Sequence, residues 1–125
     1  MKKSVVLFLL LAMTISLTKA QSPKPVLRHV VLFKFKDDAP KEGIKKVEDA
    51  FRALPSKIRE MKSFEWGTNS SPENLNQGLT HCFFVTFTSD KDRDTYLIHP
   101  AHKEFGKILG PYLDKVTVVD YWTKE

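Results

Sequence analysis

The chain has 125 residues, 42% of them apolar and 28% charged, with a formal charge of +5. That length suits one ordinary domain with a core of its own. A lone cysteine, Cys82, excludes an intramolecular disulfide. The basic residues are scattered among acids and form no stripe with interleaved aromatics, so nucleic acid is not expected as a partner.

Lys2 and Lys3 open the chain, an apolar run spans Val5 to Leu17, and Thr18-Lys19-Ala20 sets small residues before Gln21. That order predicts a signal peptide over residues 1–20, cleaved after Ala20, and an exported protein, periplasmic or secreted. The run is shorter than the ~20 apolar residues of a spanning helix, so no membrane association is expected after cleavage. Cleavage would leave 105 residues and remove three lysines and no acid, lowering the charge from +5 to +2. A polar leader is expected over 21–25 and a single domain over 26–124.

Val26 to Lys36 alternates as a strand, with Leu27, His29, Val31, Phe33 and Phe35 on one face and Val26, Arg28, Val30 and Leu32 on the other. Asp37-Asp38-Ala39-Pro40 signals a helix start with an acidic cap, and Ile44, Val47, Phe51 and Leu54 follow at helical spacing. Pro55 stops or kinks that helix. Ser63 to Ser70 reads as a second strand and Leu79 to Ser89 as a third, alternating His81, Phe83, Val85 and Phe87 against Thr80, Cys82, Phe84 and Thr86. Ser89 with Asp90 and Asp92 starts a short helix, His99-Pro100 breaks it and starts another, and Gly110-Pro111 ends that one. Lys115 to Thr123 is the last strand.

The order β-α-β-β-α-β predicts an α+β, ferredoxin-like split βαβ fold, with the first and third strands expected side by side and parallel. Their second face also carries large apolar residues: Val30, Leu32, Cys82 and Phe84, joined by Val119 and Tyr121. One pair of helices cannot cover both faces, so a further layer must come from another chain.

The segment Arg28-His29-Val30-Val31-Leu32-Phe33-Lys34-Phe35-Lys36 resembles the first strand of the stress-responsive α/β-barrel (Dabb) family. Tyr96-Leu97-Ile98-His99-Pro100-Ala101-His102, followed by Phe105, resembles that family's most characteristic motif, and Asp120-Tyr121 is similar too. The resemblance spans roughly Leu27 to Thr123. It implies a dimeric α/β barrel, a homodimer in which the sheets of two chains pack together. Some members are stress-associated without assigned chemistry. A plant member is a polyketide cyclase that closes a ring by aldol condensation without metal or organic cofactor, and its tyrosine and histidine correspond to Tyr96 and His102. Glu48 falls where that cyclase has an aromatic pocket residue, so the same substrate is not implied.

Four histidines lie beyond the leader. His29 and His81 stand near the starts of two strands on one face, and a parallel pairing would bring them to one end of the sheet. His102 shares a helical stripe with Phe105 and Leu109 and is expected to point inward, whereas His99 sits at the bend, where a side chain caps a helix or faces solvent. Three readings stay open. The polar groups are satisfied by backbone at the sheet end; or His102 is a general base with Tyr96 donating to an enolate oxygen; or the histidines hold a metal, although their spacing matches no recognised ligand motif. No cofactor and no metal is called for.

Val31, Phe33, Phe83, Val85, Val116 and Val118 are expected to line an apolar space closed by Val47, Phe51, Phe105 and Leu113, unless they simply fill a core. Such a lining, with His29 and His81 at its polar end, suits a small apolar ligand. The expected protein is thus an exported, homodimeric, ligand-binding domain; the alternative is a cofactor-independent cyclase or lyase that uses His102 and Tyr96.

Overall fold

The computed structural model describes residues 15–125. Most of the expected signal peptide, residues 1–14, lies outside the described residues. Alternation in the first strand segment gives β1 (Leu27–Phe35), whose Leu27, His29, Val31, Phe33 and Phe35 are buried and whose intervening side chains are half-buried. A turn leads to α1 (Lys41–Ala53), which buries Val47 and Phe51. The expected acidic cap is not used: Pro40 occupies the N-cap with extended backbone, and no side chain caps the helix. Proline disfavours helical backbone in the residue before it, so the helix starts after Pro40 and not at the aspartates. Pro55 lies in a short 3₁₀ turn, Leu54–Ser56, where α1 ends.

The hairpin strands β2 (Ser63–Thr68) and β3 (His81–Phe87) follow. Both are shorter than the sequence suggests. Leu79 and Thr80 belong to the connecting loop, and Ser89 leaves the sheet to cap α2 (Asp90–Ile98), its Oγ accepting from Asp92 N at 3.0 Å. His99 ends α2 and also caps α3 (Pro100–Leu109), its Nδ1 accepting from Ala101 N at 3.0 Å. β4 (Leu113–Trp122) completes the order β-α-β-β-α-α-β.

The sheet runs β2-β3-β1-β4, and β1 is antiparallel to both neighbours, Val31 standing opposite Phe83 on one side and Val118 on the other. This is the ferredoxin-like fold, with one correction to the expected pairing: β1 and β3 are antiparallel. The crossover through α1 makes β2 parallel to β1, and the hairpin then reverses the chain once more.

All three helices lie on the inner face. There the Phe51 ring lies over Phe83 at 4.2 Å between centroids with 4° between planes, and Phe33 approaches Phe83 at 5.3 Å. Such pairs add about 0.5–1.5 kcal/mol beyond burial alone. Among the described residues, no helix covers the outer face. Val30, Leu32, Cys82 and Phe84 are half-buried there by neighbouring strands, while Val119 and Tyr121 remain exposed. Arg28 spreads over Phe84, its guanidinium carbon 5.2 Å from the ring centroid.

Candidate active site

Between the inner face of β1 and β4 and the helices α2 and α3 lies an open cavity of about 300 Å³. Its walls are mostly apolar and include Val31, Phe33, Phe51, Phe105, Val116 and Val118. His29, Tyr96, His102 and Asp120 also line it.

Four strand and helix ends, those of β1, β4, α2 and α3, bring those four together. His29 and Asp120 are cross-strand partners in the β1–β4 register, and His29 Nδ1 lies 2.6 Å from Asp120 Oδ1. Arg93 on α2 donates from Nη1 to Asp120 Oδ2 at 3.3 Å. Tyr96 is the buried residue of α2, and its ring stands between two imidazoles, 5.6 Å from His29 and 4.5 Å from His102. Burial, reinforced by the negative charge of Asp120, pushes the Tyr96 hydroxyl well above its usual range, so it stays protonated and can donate.

His102 Nδ1 lies 3.1 Å from the carbonyl oxygen of Leu97, which can only accept. The hydrogen therefore sits on Nδ1, and the neutral ring leaves Nε2 as a free lone pair. Burial lowers the pKa of His102, partly opposed by that carbonyl and assisted by His29 and His99. At neutral pH the cavity thus holds an uncharged imidazole base beside a phenolic donor, the pairing that proton abstraction next to a carbonyl requires.

Some expected site residues lie elsewhere. His29, Val31, Phe33, Phe51 and Val116 line the cavity, but Phe83 and Val85 are wholly buried in the core beside it, as is Val47. His81 is at the other end of β1, opposite Phe33 and four residues from His29, about 13 Å along the strand. There its Nε2 meets Glu48 Oε1 at 2.9 Å, its Nδ1 meets Thr80 Oγ1 at 2.8 Å, and its ring stacks near Trp66. The antiparallel pairing separates the two histidines, so His81 does not shape the polar end of the cavity. Glu48 is engaged by His81 and is not a lining residue. The same pairing explains how His102 reaches His29: β3 ends beside the start of β1, and α2 begins there at once. His99 is the bend cap expected of it.

Sequence reading missed Asp120 and Arg93 as members of the site. Asp120 falls on the same alternation as Val116 and Val118, and a charged residue on that inner face was the available signal. Among the described residues, no three His, Cys, Asp or Glu side chains gather as metal ligands do.

A family model described as the stress responsive A/B barrel domain matches residues 27–123. The stress-response A/B barrel domain-containing protein HS1 of Arabidopsis thaliana is 43% identical over 81% of this chain and 93% of its own length. Olivetolic acid cyclase of Cannabis sativa is 32% identical over 76% and 94% of the two chains. Among solved structures, the hydroxynitrile lyase of Passiflora edulis superposes with TM-score 0.76 at 30% identity, covering 82% of this chain and 97% of that one. A dimeric ferredoxin-like protein of unknown function from Bacteroides fragilis superposes with TM-score 0.64 at 33% identity, covering 77% and 94%.

The lowered pKa of His102 has a thermodynamic consequence. The unfolded chain binds this proton near pH 6.5 and the folded chain at lower pH, so the stability it contributes is complete above about 6.5 and is lost as pH falls towards the folded value. An imidazole NMR titration should give His102 a midpoint below 6.5, and His102→Gln should flatten this part of the stability profile. A midpoint at or above 6.5 would contradict the burial argument.

Proposed function

The chain belongs to the stress-responsive A/B barrel domain family, and on that premise we propose that its cavity binds a small apolar ligand with one polar end. The observation that carries this reading is an apolar space of about 300 Å³ with His29, Tyr96, His102 and Asp120 gathered in its lining. That volume is at the lower end for small-molecule pockets. A stress or interaction protein working through its surface would have no need of such a convergence.

A second reading is supported by one contact. Tyr96 and His102 stand with ring centroids 4.5 Å apart, the hydroxyl held protonated and the imidazole biased towards its neutral form. In this reading His102 Nε2 takes a proton from carbon or oxygen, and Tyr96 stabilises the developing oxyanion without metal or organic cofactor. A cyclase and a lyase among the similar proteins agree with such chemistry.

We also propose that the protein is a homodimer joined through the outer face of the sheet and that residues 1–20 form a cleaved signal peptide. The first rests on the half-buried Val30, Leu32 and Phe84 and the exposed Val119 and Tyr121, whose further burial contributes at most ~1.5–3 kcal/mol each, and on the dimeric neighbour from Bacteroides fragilis. The second rests on the order of Lys2, Lys3, the apolar run and Thr18-Lys19-Ala20.

Screening by NMR with small apolar molecules should shift Phe33, His102 and Leu109 together. No shift in any of them across a broad set would remove the ligand reading. With a substrate in hand, His102→Ala should cost ~10²–10⁴-fold in rate, and Tyr96→Phe should reduce turnover more than binding; full activity in both variants would rule out the enzymatic reading. Light scattering at micromolar concentration should report twice the chain mass, and Leu32→Asp should yield monomers or aggregates. A folded wild-type monomer would defeat the dimer. The intact mass of protein from its native host should correspond to a chain starting at Gln21, and recovery of Met1 would argue against export.

A further inference from the structure

Two imidazoles line the cavity, and each has one nitrogen already committed. His29 is 4% exposed, and its Nδ1 lies against a carboxylate oxygen of Asp120 at 2.6 Å. A carboxylate accepts, so Nδ1 carries a hydrogen, and a neutral ring then keeps Nε2 as a lone pair. The carbonyl of Leu97 imposes the same tautomer on His102. With both rings neutral the free nitrogens are acceptors, and the hydroxyl of Tyr96, whose ring lies 5.6 Å from His29 and 4.5 Å from His102, is the donor.

We infer that the cavity selects neutral, hydroxyl-ended apolar molecules over carboxylates, and that Asp120 sets this preference by holding the hydrogen on His29 Nδ1. The inference rests on the ligand-binding reading above and names the class of ligand for that same site. A hydroxyl donates to an imidazole Nε2 and accepts from Tyr96. A carboxylate has no hydrogen to donate, faces lone pairs, and lies close to the charge of Asp120. Arg93 does not reverse this, because one guanidinium is shared among Asp94 at 2.9 Å, Asp120 at 3.3 Å and Asp90 at 3.5 Å. The apolar walls further penalise an ion. At ~30 Å³ for each water displaced, the cavity has room for a molecule of about ten heavy atoms.

The probes are 4-propylphenol, 4-propylbenzoate and propylbenzene, titrated calorimetrically into the dialysed wild-type protein at neutral pH. The phenol should bind at least about tenfold more tightly than the benzoate, the scale of one well-made hydrogen bond. Asp120→Asn removes the negative charge and offers Nδ1 an amide donor, which turns His29 Nε2 into an N–H. The phenol-to-benzoate ratio should fall about tenfold in that variant. Nitrogen-15 shifts of the wild-type imidazoles should show the hydrogen of His29 on Nδ1 alone. Equal binding of phenol and benzoate, an unchanged ratio in folded Asp120→Asn, or a hydrogen on His29 Nε2 overturns the inference. Propylbenzene binding as well as the phenol does so too, yet leaves the ligand-binding reading intact. If none of the three binds, both fail together. Should Asp120→Asn not fold, the wild-type ratio and the nitrogen shifts decide.

Discussion

The antiparallel pairing of β1 with both its neighbours governs the rest of the structure. β1 is hydrogen-bonded along both edges, so its two rows of side chains are fixed, one towards the helices and one away from them. Because β3 runs against β1, its last residue, Phe87, stands opposite Leu27, near His29. The helix that follows therefore starts beside the polar end of the sheet and delivers Tyr96 there within a few residues. Reversing that one pairing would place His81 beside His29 and move α2 to the far end of the sheet.

The elements that sequence made legible are those with strong periodicity. The strict alternation from Leu27 to Phe35 and the stripe of Val47 and Phe51 follow directly from residue spacing, and so do the breaks at Pro55 and His99-Pro100. The convergence of Tyr96 and His102 was legible through the motif that contains them. Strand direction was misread: alternation along a strand is the same whichever way the chain runs, and only the β-α-β-β order, a crossover followed by a hairpin, carries it. That error carried His81 into the expected site. Asp120 was overlooked for a different reason: its importance arises from standing opposite His29 on another strand, and no local spacing encodes a cross-strand register.

α2 shows how the site is held together. Tyr96 is the buried residue of this nine-residue helix, and the rest of its surface is polar or exposed. Its seat on the sheet combines that one aromatic with the contact from Arg93 to Asp120. The ring that packs under the helix also lines the cavity, so anchoring and the proposed hydrogen bonding share a side chain. Tyr96→Phe keeps the first and removes only the second, and this is what allows the two roles to be separated.

His99 ends one helix and caps the next, leaving no linker between α2 and α3. Tyr96 and His102 are thus mounted on the two arms of a one-residue elbow. A loop could lengthen or shorten over time and change their spacing; an elbow cannot without losing a cap. Substitutions in the walls, at positions such as Leu97, Val116 and Val118, would leave that spacing unchanged. A scaffold of this kind can change what it holds more easily than how it would act on it.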